Sequence, residues 1–157
     1  MADRDSSSGL LPQTSGEFSD ILDAHPAFEA RTGDIVVTVR PFWLDDQSAP
    51  DEHRYVWAYT IQVENNGAQT IQILSRHWCI TDGSGRSDHV HGEGIIGEQP
   101  IIASGAVFEY TSGAALHTPS GIMQGTYHVI IPSTGQRFDV LVPTFSLDSP
   151  HYKATIH

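Results

Sequence analysis

The chain has 157 residues, 39% of them hydrophobic and 17% charged, which fits one folded domain with one core and excludes a disordered polymer. Eight basic residues stand against 19 acidic ones, for a formal net charge of −11, and Lys153 is the only lysine. A surface this acidic repels phosphate backbones and anionic lipid, so nucleic-acid and membrane binding are excluded as primary roles.

Residues 1–27 are rich in serine, glycine and acids and read as a weakly ordered arm, with no basic and apolar stretch of the secretory kind. Phe18, Ile21 and Leu22 fall at helical spacing, enough for one short turn before Pro26. From Ile35 the period is two. Ile35, Val37 and Val39 alternate with Val36, Thr38 and Arg40; Tyr55, Trp57, Tyr59, Ile61 and Val63 then make one large apolar face. Asn65-Asn66-Gly67 tolerates positive φ and reverses the chain into a strand over 70–80. There the apolar parity switches from Ile71/Ile73 to Leu74/Trp78/Ile80, the signature of a β-bulge or of a strand changing sheets. Asp82-Gly83-Ser84-Gly85 makes the next turn, and further strands are expected over 107–110, 126–131 and 137–142. Pro132-Ser133-Thr134-Gly135 joins the last two as a hairpin. About seven strands with almost no helical period predict an all-β antiparallel sandwich or barrel.

Cys79, the single cysteine, forbids an internal disulfide and fits a reducing cytosol; within Trp78-Cys79-Ile80 it reads as a buried, inert thiol. No apolar run approaches the roughly 20 residues a membrane-spanning helix needs.

The segment from Gly92 to Gln99 spells G-x-G-x-x-G through Gly92, Gly94 and Gly97. A dinucleotide site needs a helix starting at those glycines, whose free N–H groups and dipole hold the pyrophosphate. Pro100, Ile101-Ile102 and the turn at Ser104-Gly105 argue for extended chain instead. The glycines then serve close packing and special φ/ψ in a loop, and Glu93 and Glu98 would repel phosphate. Arg76 is the best-placed cation for contact with an anion. Asp88-His89-Val90-His91 puts two imidazoles at i and i+2, where one strand face could offer both to a metal. A cupin would place a glutamate ligand where Ile95 and Ile96 stand and its fourth ligand at Gln124, so the set is incomplete and exposed loop histidines are the expectation. Ser104 and Ser112 lie in no nucleophile elbow, and Asp45-Asp46 and Asp51-Glu52 read as solvated turns.

Several blocks together resemble the ApaG family: Gln47-Ser48-Ala49-Pro50, Arg54 to Tyr59, Leu74 to Trp78, Gly92 to Pro100, Tyr110 to Gly113, Thr118 to Tyr127 and Pro143 to Leu147. The resemblance runs from about Phe28 to Pro150, which sets a domain over 28–150 with a tail at 151–157. The chain departs from the family pattern at its acidic arm, at Ala114 where many members carry cysteine, and at its histidine-bearing tail. The resemblance implies an immunoglobulin- or fibronectin-III-like β-sandwich. It also implies a non-enzymatic, cytoplasmic protein-interaction or regulatory module without a cofactor. Its family association is with cobalt and magnesium homeostasis and, by gene context, with diadenosine tetraphosphate hydrolysis. The partner-binding surface is then expected at Gly92, Gly94, Gly97, Glu98 and Gln99 with Arg76, and exposed strand edges invite a homodimer. Two alternatives are a nucleotide- or pyrophosphate-binding protein using the same loop, and a metal-binding protein using His89 and His91.

Overall fold

The structure, a computed structural model, describes residues 27–152. The proposed turn at Phe18, Ile21 and Leu22 lies outside them. Among the described residues, nine strands form two antiparallel sheets: β1 Phe28–Thr32, β2 Ile35–Trp43, β3 Tyr55–Asn65, β4 Ile71–Asp82, β5 Ser87–Glu93, β6 Ile101–Ile102, β7 Val107–Leu116, β8 Ser120–Ile131 and β9 Gln136–Asp148. One sheet has the order β1-β2-β3-β7; the other has β5-β4-β8-β9, with β6 also pairing with β4. The two sheets pack face to face as an immunoglobulin-like sandwich.

The count of about seven strands is corrected to nine. The strands that escaped the pattern are β1, β5 and β6. β1 does alternate, Phe28-Glu29-Ala30-Arg31, but runs for only five residues; β5 is exposed along almost its whole length, and β6 is only two residues long. His89 and His91 consequently sit on a strand rather than in a loop.

The core follows the alternation. Val37, Val39, Trp57, Ile61 and Val63 from one sheet meet Ile73, Tyr127, Val129, Phe145 and Leu147 from the other, each almost wholly buried. Trp57 also donates its indole N–H to the carbonyl of Asp148, 2.9 Å away, so its one polar atom is satisfied. The parity switch in β4 is a bulge: its register against β8 slips between Ile73 and Ser75. Beyond the slip Arg76, Trp78 and Ile80 lie on the inner face, while Ser75, His77, Cys79 and Thr81 lie on the outer face. Trp78 is buried as expected, whereas Cys79 is only half-buried, because this outer face carries no covering layer.

The sandwich has two unlike long sides. Where β1 and β9 meet, the sheets close on each other: the Leu141 N–H donates to Thr32 Oγ1 at 3.0 Å, and the rings of Phe28 and Phe145 pack at 6.3 Å. On the opposite side, β5 and β7 are both sheet edges.

Candidate functional site

The glycine-rich segment connects β5 to β6 along one edge of β4. The chain leaves the ladder at Gly94, turns, and returns at Pro100: Gly94 N–H donates to the Leu74 carbonyl at 2.7 Å, and Ile73 N–H donates to the Pro100 carbonyl at 3.0 Å. Between them, Ile95 and Glu98 form an isolated bridge around a two-residue turn in which Ile96 has φ 50° and Gly97 φ 76°. No helix follows the glycines, as the sequence implied.

Each glycine answers a different constraint. A Cβ at Gly92 would lie 2.7 Å from the guanidinium carbon of Arg76, because that side chain lies flat across Gly92, its partner in the β4–β5 ladder. A Cβ at Gly94 would lie 2.0 Å from the Glu98 carbonyl oxygen, and its φ of 62° is unfavourable to any side chain. Gly97 meets open space and is required only by the left-handed turn.

Arg76 clamps this loop. Its Nη1 donates to the carbonyls of Glu93 (3.2 Å) and Gly94 (2.8 Å), which fixes the point where the chain leaves β5. Gln99 and Gln72 add two more ties: Gln99 Nε2 donates to the Leu74 carbonyl at 3.0 Å, and Gln72 Nε2 to the Gln99 carbonyl at 3.2 Å. The structure thus brings Arg76, Gly92, Gly94 and Gln99 together, while Gly97 and Glu98 stand at the exposed tip. Three loop amides, those of Gly94, Ile95 and Glu98, donate to the chain's own carbonyls. A phosphate cradle of consecutive free N–H groups over Gly92 to Glu98 is therefore already interrupted.

The residues that shape the surface most are Ile95 and Ile96, which stand where a cupin would carry a glutamate ligand. Ile95 is 1% exposed and anchors the loop in the core. Ile96, the next residue, is 41% exposed and holds a left-handed backbone that a β-branched side chain adopts at a cost of about 1–2 kcal/mol. Adjacent isoleucines in a glycine-rich turn carried the signal: one must face away from the core.

His89 and His91 share the outer face of β5, as their spacing predicted, and meet His77 of β4 there. His77 Nε2 lies 2.9 Å from His89 Nδ1, and the rings of His77 and His91 stack at 4.1 Å and 12°. Stacked rings send their in-plane lone pairs along parallel lines, and the facing nitrogens of His77 and His89 occupy each other. Among the described residues, no three histidine, cysteine or acidic side chains converge to hold a metal ion. Desolvation, then the neighbouring His91, His89 and His128, keep the His77 imidazole below the ordinary histidine pKa. Cys79 lies on the same face, its Sγ 3.9 Å from His89 Nε2. His77, Cys79 and His89 line one wall of an open groove of about 870 Å³ with Gln124, Thr126 and Leu141.

Inside the sandwich Arg76 also faces three tyrosines. The Tyr110 and Tyr127 hydroxyls bond each other in the core. Burial raises the pKa of Tyr59, Tyr110 and Tyr127, and the positive charge of Arg76 offsets part of that rise in each.

Known proteins share this fold. The family model of the ApaG domain matches residues 45–131. The ApaG protein of Paramagnetospirillum magneticum is 51% identical over 130 residues, covering 83% of this chain and 99% of its own length. That of Rhodospirillum centenum is 52% identical over 120 residues, covering 76% of this chain and 92% of its own. Among solved structures, the ApaA protein of Bordetella pertussis superposes with a TM-score of 0.72 at 42% identity, over 82% of this chain and 98% of that one.

Proposed function

The chain belongs to the ApaG family, and from that premise we propose that it is a non-enzymatic, cytoplasmic protein-interaction module whose first contact surface is the loop from Gly92 to Gln99. The observation that carries this reading is Ile96. An isoleucine in a left-handed turn with its side chain in solvent adds nothing to the core, and it costs backbone energy that a glycine there would not. Buried Ile95 beneath it and the Arg76 clamp beside it hold the turn rigid, so the apolar tip is presented without much ordering cost on binding. Glu98 and Glu93, both exposed, put negative charge around that tip and select a partner with a basic rim around an apolar pocket.

The test is affinity capture from native cytosol with the wild type and with Ile96→Gly, compared by quantitative mass spectrometry. The reading expects partners held by the wild type to be lost from the variant while its fold is retained by circular dichroism. Identical capture by both proteins would end the case for the loop.

A further inference from the structure

The open side of the sandwich contains a second surface that the loop does not explain. Along the inner face of the β4–β5 pair, Arg76 partners Gly92, Trp78 partners Val90 and Ile80 partners Asp88. These three rungs form one wall. The other wall is β7, whose inward residues are smallest in the middle of the strand: Phe108 and Tyr110 are followed by Ser112 and Ala114 before Leu116 closes the row. Small side chains opposite Arg76 and Trp78 leave the space between the sheets unfilled, as a channel of about 400 Å³ floored by Tyr59 and Met123. Val90 lines it and is still 41% exposed, an apolar inward side chain that no described residue covers fully. Beyond Asp88 the channel runs on toward Arg86 and His117.

Both flanks are strand edges among the described residues, so β7 presents backbone N–H and C=O groups alongside the channel. Arg76 is half-buried at one end, and its two hydrogen bonds among the described residues both leave from Nη1. A guanidinium carries five donors, so Nε and Nη2 are available to a carboxylate entering there. Asp88 stands at the other end, two rungs away, with the apolar Trp78–Val90 rung between them.

We propose that this channel binds an extended peptide segment that pairs with the edge of β7 and continues its sheet. Side chains on one face of a strand recur every second residue, so the rungs specify the segment: a carboxylate at Arg76, an apolar residue at Val90, and a basic residue at Asp88. The motif is acidic-x-apolar-x-basic, read along β7 in either direction. Backbone pairing supplies affinity and the Arg76 contact supplies selectivity. The inference rests on the protein being an interaction module, but it uses a different surface from Ile96.

The probes are fluorescent decapeptides containing Glu-x-Leu-x-Lys, in both orientations, in a Thr/Val background, followed by anisotropy. The Glu peptide should bind about tenfold more tightly than its Gln counterpart, the size of one charge-assisted hydrogen bond. N-methylation of alternate peptide amides should abolish binding, and amide exchange over 112–116 should slow in the complex. Arg76→Gln should erase the Glu/Gln difference. Because that variant also releases the loop clamp, Ala114→Phe, which fills the channel and leaves Arg76 in place, should abolish binding of both peptides. Ile96→Gly should leave peptide binding unchanged, which separates failure here from failure of the loop reading. Equal affinity for Glu and Gln peptides, or no saturation of either, overturns the proposal. So does competition by glutarate with insensitivity to N-methylation, which would assign a small-carboxylate site instead.

Discussion

The two long sides of this sandwich are built on opposite principles. Where β1 meets β9, aromatic packing between Phe28 and Phe145 and the Thr32–Leu141 hydrogen bond draw the sheets together. Where β5 faces β7, a charge, a serine and an alanine leave the space between the sheets unfilled, and the chain beyond β5 turns outward to display Ile96. The same backbone pattern thus produces a sealed side that stabilises and an open side that presents surface. What decides between them is the volume and charge of the inward residues, not the strand pairing. Elements relieved of core duty are where binding surface is expected on a rigid scaffold.

Breaking the sealed side should cost the most. Phe145 is 1% exposed and packs against Phe28, Tyr59 and Trp78, so Phe145→Ala should destabilise the fold by about 3–5 kcal/mol in urea denaturation. A loss below about 1 kcal/mol would mean the two sides are not energetically distinct. Next in size is Gly94→Ala. Its Cβ would meet the Glu98 carbonyl, and its φ would be strained, so the loop must refold at a cost of about 3 kcal/mol. Faster amide exchange confined to 92–99 would localise that effect to the open side, whereas unchanged exchange would refute the described turn.

A smaller effect of opposite sign sharpens the contrast. Ile96→Gly removes left-handed strain without opening a cavity, so stability should rise by about 0.5–1 kcal/mol. A net loss would show that Ile96 packs against the fold rather than facing a partner.

The smallest effect concerns the outer face of the open side. The His77 pKa is lowered by desolvation and then by His91, His89 and His128, so the folded state binds its proton less readily than the unfolded chain. The sign follows. The His77 contribution is complete above the ordinary value of 6.5 and is lost as pH falls through the lower folded value. Denaturation midpoints should decline on acidification from pH 6.5, and His77→Gln should flatten that slope. In proton-detected titrations His77 should protonate below the ordinary histidine value of 6.5; protonation above it would contradict the desolvation and histidine neighbours described for this face.

How much of this was legible in the sequence varies by element. The long alternating run over 55–63, the reversal at Asn65-Asn66-Gly67 and the parity slip in β4 all held, because each is a local property of burial or of φ. β5 was invisible, since a strand exposed on both faces leaves no alternation to read. The candidate site was half legible. The glycines pointed to the loop, and Arg76 was singled out as a scarce cation. That its guanidinium lies on Gly92 could not be read, because the pairing of residues 76 and 92 is a matter of strand register.

By itself, then, the order of residues determined the strand period, the turn positions and the absence of a helix after Gly97, since these depend on side-chain alternation and on which residues tolerate positive φ. Only the tertiary structure decided which edges stay unpaired, which isoleucine of the Ile95–Ile96 pair is buried, and that three histidines from two strands meet on one face. Those outcomes depend on register and on the match of volumes across two sheets, and such matches form between residues the chain itself keeps far apart.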